Sequence, residues 1–191
     1  MTTTPPNLFD WRALALRRDR AMRMGFLDSG AFLHREVGAG LAARLGDITR
    51  RFHDVLMVGT GGGVLSETLT SALGGASIRG VDLSPSMAAV SAADLMESEV
   101  LPVSAGSHDL AISSLMMHWT NDPVGHLVQL RRALRPDGLV MAALFGGQTL
   151  SELRAALAEA ESEITGGLSP RIAPMAEIRD LGGLLQRAGL A

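Results

Sequence analysis

A chain of 191 residues with 47% hydrophobic side chains can bury one substantial core but is too short for two large domains. A net charge of −3 offers no basic face to neutralise phosphates, so no nucleic-acid partner is expected. With no cysteine there can be no disulfide framework, thiolate metal site or catalytic thiol, and the five scattered histidines have no i, i+4 pair, so no metal is expected.

The opening Met1–Asp10 is polar and proline-containing rather than an apolar signal. No run approaches the roughly 18 apolar residues of a membrane span, so a cytoplasmic location is expected. Every basic residue is arginine, and the arginine-rich start imitates a transit peptide; Asp10, Asp19 and Asp28 argue against that reading. Trp11 to Arg23 and Phe32 to Leu45 carry apolar residues at helical spacing, broken at Asp28-Ser29-Gly30. Val55 to Val58 is a short apolar run ending in glycines, the signature of a buried parallel strand. A helix from Val64 to Leu73 follows, Gly74-Gly75 stops it, and Ser77 to Val81 is a second strand ending at Asp82. Ser84 is placed to cap a helix that begins with Pro85 and continues through Met87 to Ala93. The third strand is reduced to a short or irregular edge around Leu95-Met96. Leu110 to Ser114 is a strand, Pro123 to Leu134 a helix, Arg135 to Gly138 a turn and Leu139 to Leu144 a fifth strand. Helices at Thr149 to Ile164 and Ala176 to Ala188 complete the pattern, joined by the Gly167-Leu168-Ser169-Pro170 loop.

Alternating strands and helices predict an α/β, Rossmann-like, doubly wound and mostly parallel sheet of about five strands with helices on both faces. A ligand then sits beyond the carboxyl ends of the strands, where the strand order reverses. Gly59-Thr60-Gly61-Gly62-Gly63 lies at that place and lets backbone approach a ligand without an intervening Cβ. Asp82 ends the next strand, where a carboxylate accepts the hydroxyl hydrogens of a ribose. The dinucleotide fingerprint wants a third glycine where Val64 stands, whereas Gly63 fits the methyltransferase variant, so S-adenosyl-L-methionine is favoured over a nicotinamide. The competing reading is a tight turn with a buried strand-end aspartate.

Val81-Asp82-Leu83-Ser84-Pro85-Ser86-Met87 and Glu97-Ser98-Glu99-Val100-Leu101-Pro102 resemble successive motifs of class I methyltransferases with a type 11 domain. His108 to Asp122 and Arg131 to Gly138 resemble the branch containing the malonyl-carrier-protein methyltransferases and the mitochondrial complex I assembly factor. Ser169-Pro170-Arg171 and Arg179 to Gly189 resemble the assembly-factor subgroup specifically. The resemblance runs from about Phe9 to the last residue and implies one domain: a helical cap over 1–53, a cofactor core over 54–164 and a closing loop and helix over 165–191. It implies that Gly59, Thr60 and Gly61 line the methionine moiety, with Gly63 a further cofactor-binding residue of the loop, that Asp82 holds the ribose and that Leu83 and Met87 flank adenine. Glu97 would face the adenine amino group with Ser98 beside it, and Ser114 would lie near the sulfonium.

Two departures stand out. Met57 occupies a first-strand position that is usually acidic, removing one anchor of the hydrogen-bond network around the cofactor. The family sheet ordinarily has two further strands after the last helix, so an exposed edge is expected, covered by a second copy or another partner. His118, just after the fourth strand, is a candidate base, its alternative being a packed imidazole. Arg17, Arg18, Arg20 and Arg23 read either as a solvated helix face or as a surface for an acidic partner. The function expected is transfer of a methyl group to an unidentified protein or small-molecule acceptor. The alternatives are assembly-factor-like arginine hydroxylation and a degenerate, non-catalytic binding module.

Overall fold

A computed structural model of the chain describes residues 7–169, 171–173 and 175–190. The Pro170 of the Ser169-Pro170-Arg171 motif lies outside them. Five strands form one parallel sheet in the order β3-β2-β1-β4-β5: β1 is Asp54–Val58, β2 Ser77–Asp82, β3 Asp94–Leu95, β4 His108–Ser114 and β5 Leu134–Ala143. Chain order reverses between β1 and β4, which opens the binding crevice at their carboxyl ends.

The strands are short apolar runs because both faces are covered. On one face Leu56 and Val58 of β1 and Ala111 of β4 join Leu127, Leu130 and Ala133 of the helix α5 (Pro123–Ala133). On the other, Val55 and Met57 join Leu110, Ile112 and residues of α2 (Phe32–Gly46) and α3 (Val64–Leu73). Alternate residues of one strand therefore serve opposite cores. Gly38 of α2 sits where a Cβ would strike the Thr68 side chain, so α2 and α3 pack closely.

The first helix, α1 (Trp11–Arg23), is capped by the Asp10 carboxylate, which accepts from the Ala13 amide. Trp11, Leu14 and Ala15 turn its apolar stripe against the sheet, and a π-helical turn at Phe26–Gly30 leads into α2. The helix α4 (Pro85–Ser91) starts with proline behind the Ser84 cap, as expected.

Several boundaries differ from expectation. β3 pairs through Asp94 and Leu95, one residue earlier than the expected Leu95-Met96. β4 begins at His108 rather than Leu110, because Asp109 is buried and its carboxylate accepts from the His53 and Asp54 amides. β5 pairs once at Leu134 and resumes at Leu139; Arg135 to Gly138 loops out between, with Asp137 left-handed at φ 64°. The expected turn thus interrupts the strand instead of preceding it. The helix α6 starts at Ser151, not Thr149, and runs to Thr165; it buries none of its residues. Ala176 is extended and bridges to Gly146, which delays the last helix, α7, to Ile178–Arg187. No described helix is long and apolar enough to cross a membrane.

Candidate functional site

The site is built where β1, β2 and β4 end. The Gly59 amide continues the β1–β2 ladder by donating to the Val81 carbonyl at 2.9 Å, and the chain then turns through glycines with φ of 83° at Gly59 and 58° at Gly61. Both conformations are strained for any side chain, and space excludes one as well: a Cβ on Gly61 would lie 2.5 Å from the His34 ring, and one on Gly59 would meet the Ser114 carbonyl and Met116. Gly63 has more room, with Ser91 Cβ at 3.7 Å.

Asp82 closes this loop. It is fully buried, and its Oδ2 accepts from both the Thr60 amide and the Thr60 hydroxyl at 2.9 Å. Oδ1 accepts from the Ser84 amide at 3.1 Å and faces the Arg18 guanidinium at 3.8 Å. A carboxylate offers about four acceptor directions; Thr60 fills two and the Ser84 amide one, while the fourth faces Arg18 across an ion pair.

Arg18 overturns the reading of the α1 arginines as one solvated face. Its side chain is 14% exposed, paired with Asp82, and donates to the Leu115 carbonyl at 3.3 Å. Burial pulls the guanidinium below its ordinary value while Asp82 opposes that shift. The neighbouring Asp19 accepts from the Ser84 hydroxyl and the Ser86 amide, so α1 is also fastened to the start of α4. Partial burial works upward on Asp19, and these hydrogen bonds outweigh it and hold the carboxyl below its usual range. The sequence carried a signal for Arg18: it stands seven residues after Trp11 and four after Leu14, on the helix's own apolar stripe.

The remaining predicted residues divide into two groups. Leu83 and Met87 are buried beside Asp82, and Ser114 is buried at the end of β4 with no partner for its hydroxyl among the described residues. Glu97 and Ser98 are exposed and line a different, open groove of about 760 Å³ with Phe9, Trp11 and Asn121; no residue of the glycine loop lines it. Met57 is fully buried in the apolar core, its sulfur accepting from Ser66 at 3.4 Å, so nothing polar replaces a first-strand acid there.

His118 follows β4 in a 3-10 turn, 4.4 Å from the Phe145 ring centroid. Neither of its ring nitrogens has a partner among the described residues. Burial, reinforced by the Arg18 charge, lowers its pKa to about 4, so the imidazole is neutral at physiological pH. Among the described residues no group of three or more metal-binding side chains occurs.

The loop and the strand ends fit a nucleoside-bearing ligand on two observations: a glycine cradle beside a strand-end carboxylate, and a buried, unpartnered Ser114 hydroxyl next to it. Residues 56–142 match the family model described as a methyltransferase domain. The chain is 38% identical to the mitochondrial arginine-hydroxylase NDUFAF5 of Danio rerio, over 96% of this chain and 59% of that protein. It is 34% identical to a malonyl-[acyl-carrier protein] O-methyltransferase of Laribacter hongkongensis, over 86% of this chain and 59% of that one. The chain thus spans about three fifths of these curated relatives. A crystal structure of a SAM-dependent methyltransferase from Thermotoga maritima shares the fold at a TM-score of 0.62 and 19% identity, over 90% of this chain and 78% of that one.

Proposed function

We propose that this chain, whose residues 56–142 match a methyltransferase-domain model, binds S-adenosyl-L-methionine at the Gly59–Gly63 loop and transfers a methyl group to a protein or small-molecule acceptor. One observation carries the reading: at the crevice between β1 and β4, the glycine loop is locked to the buried Asp82 carboxylate through Thr60. Asp82 and Thr60 hold the loop in shape, and the Asp82 Oδ1 direction that Arg18 occupies is the acceptor left for a ribose hydroxyl. Arg18 is the cation positioned to answer a ligand carboxylate at the same place, and Ser114 supplies a buried hydroxyl with no partner among the described residues. The bound cofactor supplies a methyl group already activated by its sulfonium, so the residues need to align and dry the site more than to supply covalent help.

The identity to an arginine-hydroxylase, higher than to the malonyl enzyme, favours hydroxylation of a protein arginine as the second reading. The place we propose for the protein is the cytoplasm, although the Danio rerio relative is mitochondrial by name. We assign the outer edge of β5 to pairing with a second copy, since that strand has a neighbour on one side alone among the described residues. Calorimetric titration with S-adenosylmethionine, S-adenosylhomocysteine and NADH tests the main reading. Micromolar binding of the adenosyl pair alone, about 8 kcal/mol, is expected; no binding to folded protein would turn the assignment to the non-catalytic module.

A further inference from the structure

A second cavity, of about 150 Å³, lies beyond the end of β4 and is lined by Phe9, Met117, His118, Leu144, Leu181 and Leu184. It is almost wholly apolar, and the polar groups around it are spent. The Thr120 hydroxyl donates to the Met117 carbonyl. The Asn121 amide group donates to the Phe9 carbonyl and to Glu99, and its oxygen accepts from the Phe9 amide. His118 is the exception: it is 8% exposed, lines the cavity, and among the described residues neither ring nitrogen is bonded. A buried imidazole without partners is costly, and such a group in a native protein is met by ordered water, a ligand or a catalytic role.

The chemistry of the occupant follows from what the walls offer. An apolar cavity of about 150 Å³ takes a single benzene-sized ring. A neutral imidazole presents one acceptor nitrogen and one N–H, which a hydroxyl satisfies as donor or acceptor. A carboxylate would be stripped of water in a cavity whose lining carries no cation to answer it. A guanidinium or ammonium would meet no acid in the lining and would lie near the Arg18 charge, which already acts on His118.

We propose that this cavity is the acceptor subsite and that it holds an uncharged, ring-sized group bearing a hydroxyl, hydrogen-bonded to His118. The assignment rests on the methyl-transfer reading for its role but not for its occupancy. It disfavours a free carboxylate or an arginine side chain as the group seated there.

The test uses protein labelled with 15N in its histidine rings, titrated with phenol, then with benzoate and guanidinium, and with S-adenosylhomocysteine on a parallel sample. Phenol is expected to shift the His118 ring resonances, which the His118→Phe variant identifies by their loss, while benzoate and guanidinium leave them in place. His118→Phe should bind phenol at least tenfold more weakly. Leu184→Trp, which fills the cavity and keeps the imidazole, should lose the phenol response as well. An unmoved His118 signal, or an equal response to benzoate, overturns the subsite even where S-adenosylhomocysteine binds. A phenol response in protein that does not bind S-adenosylhomocysteine supports the cavity and overturns the methyl-transfer reading instead.

Discussion

Replacing Arg18 by methionine keeps an apolar stem on the stripe of α1 and removes the cation from Asp82. The ion pair at 3.8 Å and the hydrogen bond to the Leu115 carbonyl are lost together. Leaving a bare buried charge would cost about 3–5 kcal/mol, but Asp82 keeps its hydrogen bonds from Thr60 and Ser84. The expected loss is therefore nearer that of one charged hydrogen bond, about 2 kcal/mol. For a domain of this size that corresponds to a fall in Tm of about 4–8 °C, measurable by calorimetry. A second readout separates electrostatics from packing. Arg18 lowers the pKa of both His34 and His118 after burial has done so, and both should rise in the variant when followed by NMR titration. A Tm within 1 °C of the native value (about 0.3 kcal/mol or less), with both histidines unmoved, would refute the placement of Arg18 against Asp82.

The buried histidines make stability fall in mild acid. His118 and His126 both titrate near 4 because burial opposes their charging, His126 also accepting or donating one hydrogen bond with Ser113. The unfolded chain takes up these protons near pH 6.5 and the native state does not, so the stability is complete above 6.5 and declines as pH falls towards 4. Between pH 6.5 and 5 each histidine should cost about 1.5 kcal/mol, seen as a lower urea midpoint, and a flat profile over that range would contradict their burial. Met57→Asp should place a carboxylate among Val55, Leu65 and Ile112 with the Ser66 hydroxyl as its neighbour, at a cost of about 3 kcal/mol. An unchanged urea midpoint, or tighter binding of S-adenosylhomocysteine, would show that the position still accepts the acid usual in this family.

What the sequence made legible was the part governed by local rules. Val55 to Val58 and Leu110 to Ser114 read as strands because both of their faces are buried, and the Ser84-Pro85 start of α4 read as a cap because its side chain acts within one turn. The errors arose where a distant partner decides the outcome. The strand expected from Leu110 begins at His108, because the His53 and Asp54 amides satisfy the buried Asp109 carboxylate. Arg18 looked like its neighbours Arg17 and Arg20 until Asp82, sixty-four positions away in the chain, drew it inward. The glycine loop and Asp82 are legible from spacing, but their mutual lock through Thr60 is not, since it depends on a side chain reaching a carboxylate 22 positions away. Glu97 and Ser98, placed by resemblance, line the groove shared with Phe9, Trp11 and Asn121.

The most direct test of the cofactor site is a crystal structure of the protein with S-adenosylhomocysteine. The account predicts ligand density beside Gly59–Gly63, a ribose hydroxyl on Asp82, and the Arg18 guanidinium moved off that carboxylate. Density elsewhere in the molecule, or a bound ligand with the Arg18–Asp82 pair intact and no ribose contact to Asp82, would contradict it.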